Sequence, residues 1–369
     1  MMKIICNKND LVYGVQTVQR AVSTKNTMPI LDGILIEANS DKIIFKATNL
    51  EIGIICSINA ETIETGSIVL PSRYFGELVK KLPDIPIHIE TNENHTANIT
   101  YGESSTSING YDPEEFPVLP HISSNKLIKI PGDLFKNMVK QVVIAISRDE
   151  ARPIFTGILT DIGTNGVKLI GTDTHRLAYR SNTIQTKLEM KEIIPGKTLA
   201  EVSKLIENEE PVSISFDQNQ VLFQTENISI ISRIINGQFP DYNQVIPSNY
   251  TTNVRIDTKA FLQALERASL LVRENSQDKA NVIKLSISGN HLTINSNAPD
   301  VGKLHEKIPA FIEGEDIKIS FNSRYLLDVL KVIEDEEIYL QLTGSLSPGI
   351  IKPVNQDNYL HLILPIRTV

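Results

Sequence analysis

Cysteine is scarce in this chain, with two residues in 369, and their placement excludes most thiol chemistry. Cys6 and Cys56 both fall in apolar strand-like runs, so buried free thiols are expected in place of a disulfide or a paired metal site. An excess of positive charge is missing too. The formal net charge is −8, whereas domains that hold nucleic acid by bulk electrostatics are usually strongly basic. No run approaches the ~18 to 20 apolar residues that a membrane-spanning helix needs. The stretch from Met1 to Lys8 has an apolar core too short and too interrupted for a secretory signal, and reads as a first strand. The expected compartment is therefore the cytoplasm, with no membrane association. Triplets such as Asn98-Ile99-Thr100 and Asn227-Ile228-Ser229 carry no expectation of glycosylation.

Signatures of catalysis are lacking as well. There is no Gly-x-Ser-x-Gly, no His-Glu-x-x-His and no paired-cysteine metal set. The seven histidines, at positions 88, 95, 121, 175, 291, 305 and 361, are scattered singly. Gly196-Lys197-Thr198 is a fragment of a phosphate loop, but that motif needs a glycine five residues before Gly196, where Lys191 stands. It reads instead as a helix start headed by Pro195. No catalytic residue, metal or cofactor is expected.

What the chain does contain is a long internal repeat. Asn9 to Val22 carries Leu11, Val12, Val15, Val18 and Val22 at helical spacing, with Asn9 or Asp10 as the N-cap. Short β-branched runs follow at 34–38, 42–47, 51–56 and 67–70. A second helix begins at Pro71-Ser72 and stops at Pro83, and strands follow at 85–90, 96–101 and 104–108. The same order recurs with helices at 131–148 and 195–206, then again with helices at 257–273 and 322–333. Landmarks keep step: Pro29-Ile30-Leu31-Asp32-Gly33 resembles Pro153-Ile154-Phe155-Thr156-Gly157, and Leu70-Pro71-Ser72-Arg73-Tyr74 is echoed by Phe321-Asn322-Ser323-Arg324-Tyr325. A period this long exceeds any solenoid unit. The fold class expected is α+β, three similar domains each with two helices and antiparallel sheets, divided at 1–122, 123–250 and 251–369.

The most chemically loaded stretch is Gly171 to Arg180, with Asp173, His175 and Arg176 between two strand-like runs and Arg180 after the second. One reading is catalytic: a carboxylate two residues from an imidazole orients a general base, and an arginine binds an anionic substrate. No nucleophile motif accompanies it. The other reading is structural, because Ala47-Thr48-Asn49-Leu50 and Asn295-Ser296-Asn297-Ala298 fall in register with Gly171-Thr172-Asp173-Thr174, which makes the segment a turn common to all three repeats.

Four motifs together carry a resemblance. Gly171-Thr172-Asp173-Thr174-His175-Arg176-Leu177, Phe239-Pro240-Asp241-Tyr242, Phe321-Asn322-Ser323-Arg324-Tyr325-Leu326-Leu327-Asp328-Val329-Leu330 and the tail Leu364-Pro365-Ile366-Arg367 resemble, in order and spacing over the full chain, the bacterial DNA polymerase III beta subunit family of replicative sliding clamps. The resemblance implies a head-to-tail homodimer, a ring of six like domains that encircles double-stranded DNA without reading its sequence. Twelve helices at ~10 Å spacing would leave a bore of roughly 28 Å, enough for a duplex. The six predicted helices carry a net +4 and the remainder −12, so a mildly positive lining inside an acidic shell suits a protein held by topology that must slide. Lys25, Arg73, Lys80, Lys140, Arg148, Arg152, Lys197, Lys204 and Arg273 are the candidate phosphate contacts.

The resemblance further implies a hydrophobic groove for short peptides of the replicative polymerase alpha subunit, the clamp loader, other DNA polymerases and repair proteins. Its lining would be Phe155, Thr172, His175, Arg176, Leu177, Pro240, Val245, Tyr325, Leu346, Leu362, Leu364, Pro365, Ile366 and Arg367, apolar anchors with a few polar fixers. For Leu177, Leu362 and Leu364 the lesser alternative is plain core. Leu270, Leu271, Thr106 and Ile108 would form the dimer contact, meeting the strand near Asn297 to Lys303. The chain departs from the family pattern with Thr174 where glycine is common, Phe155 where leucine is, Gln244 where arginine often is, and a tail that continues through Thr368 and Val369.

Overall fold

The computed structural model describes residues 1–22, 28–120, 122, 127–272, 281–299 and 301–367. Its first repeat contains β1 (Lys3–Asn7), α1 (Lys8–Gln19), β2 (Gly33–Ala38), β3 (Lys42–Thr48), β4 (Ile52–Asn59), β5 (Glu61–Glu64), β6 (Gly66–Pro71), α2 (Ser72–Lys81), β7 (Pro86–Thr91), β8 (Thr96–Tyr101) and β9 (Ser104–Asn109). The second contains β10 (Leu127–Ile130), α3 (Gly132–Val143), β11 (Gly157–Gly163), β12 (Gly166–Thr172), β13 (Arg176–Asn182), β14 (Met190–Pro195), α4 (Gly196–Leu205), β15 (Val212–Asp217), β16 (Gln220–Gln224) and β17 (Ile228–Arg233). The third contains β18 (Thr252–Asp257), α5 (Thr258–Ser269), β19 (Val282–Ser288), β20 (His291–Ala298), β21 (Gly302–Pro309), β22 (Phe311–Gly314), β23 (Ile317–Asn322), α6 (Ser323–Leu330), β24 (Glu337–Leu342), β25 (Gly349–Pro353) and β26 (Tyr359–Ile363). Among the described residues, two helices per repeat and antiparallel pairing throughout agree with the α+β fold read from the sequence.

The sheets do not respect the repeats. Residues 1–135 and 201–234 form one compact unit, residues 136–200 and 235–369 the other, so the middle repeat contributes to both. In the first unit an eight-stranded sheet runs β10-β15-β16-β17-β4-β3-β2-β6, with β17 of the second repeat paired to β4 of the first. A five-stranded sheet, β5-β1-β7-β8-β9, completes that unit. In the second unit a nine-stranded sheet runs β14-β11-β12-β13-β26-β25-β24-β18-β22, with β13 paired to β26, beside a four-stranded sheet β21-β20-β19-β23. Strands β9 and β21 are sheet edges among the described residues.

Helices cover these sheets through apolar stripes at helical spacing. Leu11, Val15 and Val18 of α1 are fully buried. Gly14 lets the helix approach the sheet, since a Cβ there would come within 2.5 Å of a ring carbon of Phe45. In the third repeat Phe261 and Leu265 of α5 and Leu326 and Val329 of α6 join Phe321 and Tyr359 in one buried cluster. Cys6 and Cys56 are free and buried, and burial pushes the Cys6 thiol up to about 12 and that of Cys56 to about 11.

Helix ends differ from the periodicity. α1 begins at Lys8, preceded by Asn7, whose side chain makes no capping bond, so neither Asn9 nor Asp10 is the N-cap. α3 stops at Val143, because the β-branched run Val142-Val143-Ile144 has poor helix propensity, and the amide of Ser147 is drawn off to the carbonyl of Phe155 at 2.7 Å. The short strands β5 and β22 escape the alternation rule because both are mostly exposed.

Candidate functional site

The turn joining β12 to β13 is built by side chains that hydrogen-bond their own backbone. Thr172 Oγ1 donates to the Arg176 carbonyl at 2.7 Å and accepts the Thr174 amide at 3.1 Å. Asp173 Oδ1 accepts the amides of His175 at 2.9 Å and Arg176 at 3.0 Å. Thr174 is thereby held at φ 78°, in the left-handed region where a β-branched residue is strained. Glycine would adopt that conformation without strain.

The same device recurs in the first repeat. Thr48 Oγ1 donates to the Ile52 carbonyl at 2.9 Å and accepts the Leu50 amide at 3.0 Å, Asn49 Oδ1 accepts the amides of Glu51 and Ile52, and Leu50 has φ 73°. The third repeat departs from it: Asn297 and Ala298 remain in β20, and the hairpin closes later, between Ala298 and Gly302. The turn is thus common to two repeats, not three.

The carboxylate of Asp173 is consumed by this turn, and its second oxygen accepts Arg176 Nε at 3.0 Å. Arg176 Nη1 donates to Asp328 on α6 at 2.6 Å, and the guanidinium lies 4.3 Å from the ring centroid of Tyr325. Asp173 therefore has no orienting role for the exposed His175 imidazole, which leaves the catalytic reading without its dyad. Burial raises the Tyr325 hydroxyl pKa, and Asp173 and Asp328 add to that rise against Arg176.

Behind the turn, Leu177 of β13 pairs in register with Leu362 of β26. Both are buried in a cluster with Leu159, Ile170, Ile193 and Tyr242, against which Phe239 and Ile246 also pack. The tail leaves β26 beside the turn: the Leu364 amide donates to the His175 carbonyl at 2.9 Å and the Ile366 amide to Ser320 at 2.8 Å. Val245, Leu346 and Leu364 are exposed apolar residues; His175, Pro240 and Arg367 are exposed, while Phe155, Thr172, Pro365 and Ile366 are half-buried. All fourteen positions fall within one compact unit, and the contacts described tie Thr172, His175, Arg176, Leu177, Tyr325, Leu362 and Leu364 directly together.

Three residues that matter lie outside the expected lining. Tyr242 was legible as the end of Phe239-Pro240-Asp241-Tyr242, and Asp328 sits one helical turn after Tyr325 in a quoted motif, a spacing that puts both on one face. His361 is a third, fully buried on β26 with its ring nitrogen Nε2 2.7 Å from the Tyr359 hydroxyl. Burial, then the charge of Arg176, lowers its pKa to about 3, so the ring is neutral. An isolated histidine in an apolar strand gives no signal of this in sequence.

Of the candidate phosphate contacts, Lys25 and Arg273 lie outside the described residues. Arg73, Lys80, Lys140, Arg148, Arg152, Lys197 and Lys204 are all exposed. Lys80 pairs with Glu77 at 2.9 Å, Lys140 with Glu334 at 2.9 Å, Lys197 with Glu150 at 2.8 Å and Lys204 with Glu201 at 2.7 Å, so their net field is softer than their count suggests. Thr106 and Ile108 lie on the edge strand β9, with Thr106 hydrogen-bonded to the Tyr101 hydroxyl at 3.1 Å. Leu270 is 79% exposed at the end of α5, and Leu271 is half-buried.

Comparison with known proteins covers the whole chain. The N-terminal, central and C-terminal domains of the DNA polymerase III beta subunit match residues 2–120, 129–241 and 243–367. The chain is 41% identical over 384 residues to the beta sliding clamp of Bacillus subtilis, and 38% identical over 379 residues to that of Staphylococcus aureus, covering 100% of each protein in both cases. The crystal structure of the Bacillus subtilis DNA polymerase sliding clamp superposes with a TM-score of 0.96 at 40% identity over 100% of both chains.

Proposed function

This chain belongs to the DNA polymerase III beta subunit family, and from that premise we propose how its own residues do the work of a sliding clamp. The role itself is that of the family: a non-catalytic processivity factor of bacterial DNA replication, a ring that encircles DNA and keeps the polymerase on it. The observation that carries it is the match of three consecutive family domains from one end of the chain to the other. The repeat boundaries are drawn at 1–122, 123–250 and 251–369, and the site of action is the cytoplasm.

The groove formed around Leu177, Leu362, Arg176 and Tyr325 receives short peptides of the replicative polymerase alpha subunit, the clamp loader, other DNA polymerases and repair proteins. Its support is composition: the buried pair Leu177 and Leu362, the exposed apolar Val245, Leu346 and Leu364 of the same compact unit, and the guanidinium of Arg176 fixed by Asp173 and Asp328. Phe155, Thr172, His175, Pro240, Val245, Leu346, Leu364, Pro365, Ile366 and Arg367 complete the lining.

Internal symmetry supports a homodimer. β17 and β26 occupy the place of β9 in their own repeats, and each pairs with a strand of the preceding repeat, β4 and β13. The counterpart of β4 and β13 in the third repeat is β21. The edges β9 and β21 are thus the same two halves without their partners, and a second copy supplies both through a heterologous contact that closes, flanked by Leu270 and Leu271. Duplex DNA passes through the bore, met by the exposed cations on and near the helices, including Arg73, Arg148 and Arg152. Retention on DNA tests this reading: rings loaded on a circular plasmid are released when the plasmid is linearised, and equal retention on both forms overturns it.

A further inference from the structure

The first unit holds a cavity of about 280 Å³ between β4, β17 and the segment that follows Phe116. Its place is the repeat-equivalent of the groove described above. The turn at Thr48 to Ile52 duplicates the turn at Thr172 to Arg176 bond for bond, β4 pairs with β17 as β13 pairs with β26, and Phe116-Pro117 corresponds to Phe239-Pro240. The cavity exists because of one difference. Gly53 stands opposite Ile231 where Leu177 stands opposite Leu362, so the floor lacks a side chain. Leu119 fills only part of the space, with its Cδ2 2.9 Å from where a Cβ of residue 53 would lie.

The rim is apolar and exposed in a way that folding does not require. Leu50 is 47% exposed and is held at φ 73°, a conformation that costs a leucine ~1–2 kcal/mol and that glycine or asparagine would adopt more readily. Val118, beside it, is 95% exposed. A strained, solvent-facing leucine next to a solvent-facing valine over a cavity is a pattern kept for contact with another molecule. At one end of the same cavity Gln220 and Arg233 are directly opposed across β16 and β17. Both are hydrogen-bond donors, and Arg233 is exposed and makes no ion pair among the described residues. Glu51 also lines the cavity, so the site is close to neutral and suits a single carboxylate, not a strongly acidic segment.

We propose that this cavity is a second peptide-binding site, which takes one apolar side chain over Gly53 and one neighbouring carboxylate on Gln220 and Arg233. The occupant is a short extended segment of a protein partner; this class rests on the peptide-groove reading of the repeat-equivalent site, whereas the carboxylate preference follows from Gln220 and Arg233 alone. The volume admits one large side chain and its neighbour, not a folded surface.

The full-length protein with labelled isoleucine and leucine methyls tests it, titrated with the capped dipeptide acetyl-Leu-Asp-amide and, separately, with acetyl-Leu-Asn-amide. Saturable shifts are expected at Ile52, Leu119 and Ile231, with the aspartyl probe binding at least fivefold more tightly. Leu50→Asp, a residue that tolerates the left-handed turn, lowers that affinity tenfold or more, and Arg233→Ala abolishes the preference for aspartate over asparagine. If Ile52, Leu119 and Ile231 stay unmoved up to the solubility limit of both probes, the second site does not exist. The methyls of Leu177 and Leu362 report on the other groove in the same spectra, so each site stands or falls by its own signals. Equal affinity for the two probes overturns the assignment of Gln220 and Arg233 as a carboxylate receptor.

Discussion

Leu50 and Thr174 occupy one and the same left-handed turn position in successive repeats, at φ 73° and 78°, each with its amide bonded to the threonine hydroxyl two residues before it. Neither residue type favours that conformation, and both are exposed. Thr174→Gly relieves the strain at Thr174, and the greater freedom of glycine in the unfolded chain offsets part of the gain. A net stabilisation of about 0.5 kcal/mol is expected, seen as a small rise in thermal midpoint, together with weaker peptide binding if the threonine methyl contacts the occupant. A fall in midpoint would show that the turn is not strained.

Arg176 joins Asp173, Asp328 and Tyr325 from a side chain only 12% exposed. Arg176→Ala leaves two acceptors and a ring without their partner, for a loss of about 2 kcal/mol, and loosens the peptide groove. Arg176→Lys is expected to recover little, because an ammonium cannot both fork between two carboxylates and lie flat on Tyr325. Peptide titration by calorimetry, alongside thermal unfolding, separates the two losses.

His361 supplies a pH prediction. Its folded pKa, about 3, lies below the ordinary value of 6.5, so the unfolded chain binds the proton first as pH falls. The stability that depends on the neutral ring is complete above pH 6.5 and declines by about 1.4 kcal/mol per pH unit below it, toward the folded value. His361→Gln removes that slope. The stability difference between variant and parent should therefore change steadily between pH 6 and 4, measured by denaturant titration, and a constant difference would mean that His361 is charged in the folded protein.

Leu270, 79% exposed at the end of α5, is expected to be covered by the partner. Leu270→Asp converts a dimer into species of the 41.1 kDa chain mass in sedimentation, with unchanged circular dichroism. A variant that sediments as the parent removes Leu270 from the interface.

Much of the architecture is legible in the sequence, because proline, asparagine and paired landmarks recur at fixed spacing and strand runs alternate. Partner choice is not. β4 and β17 lie more than 160 residues apart, and an alternating pattern states which face is buried without stating which strand lies alongside. The two broad sheets that bridge the repeats were therefore unreadable, and so was the division of the middle repeat between two compact units. The turn at Thr172 to Arg176 was recognisable by register, yet its extension to the third repeat failed, since nothing in Asn295 to Ala298 signals that β20 runs on. Around the groove the named residues came from motif, whereas Tyr242 and His361 contribute through burial, a property of the assembled sheets.

The pairing of β4 with β17 gives the chain two kinds of continuity at one place. The polypeptide crosses from the first repeat to the second once, through the connection after Phe116, while the sheet crosses there by a ladder of hydrogen bonds that owes nothing to that connection. Cutting the connection would sever the thread and leave the seam. A nicked protein would then keep its shape and its mass until a denaturant parted β4 from β17, and genes for the two pieces, expressed separately, would carry the information to rebuild it.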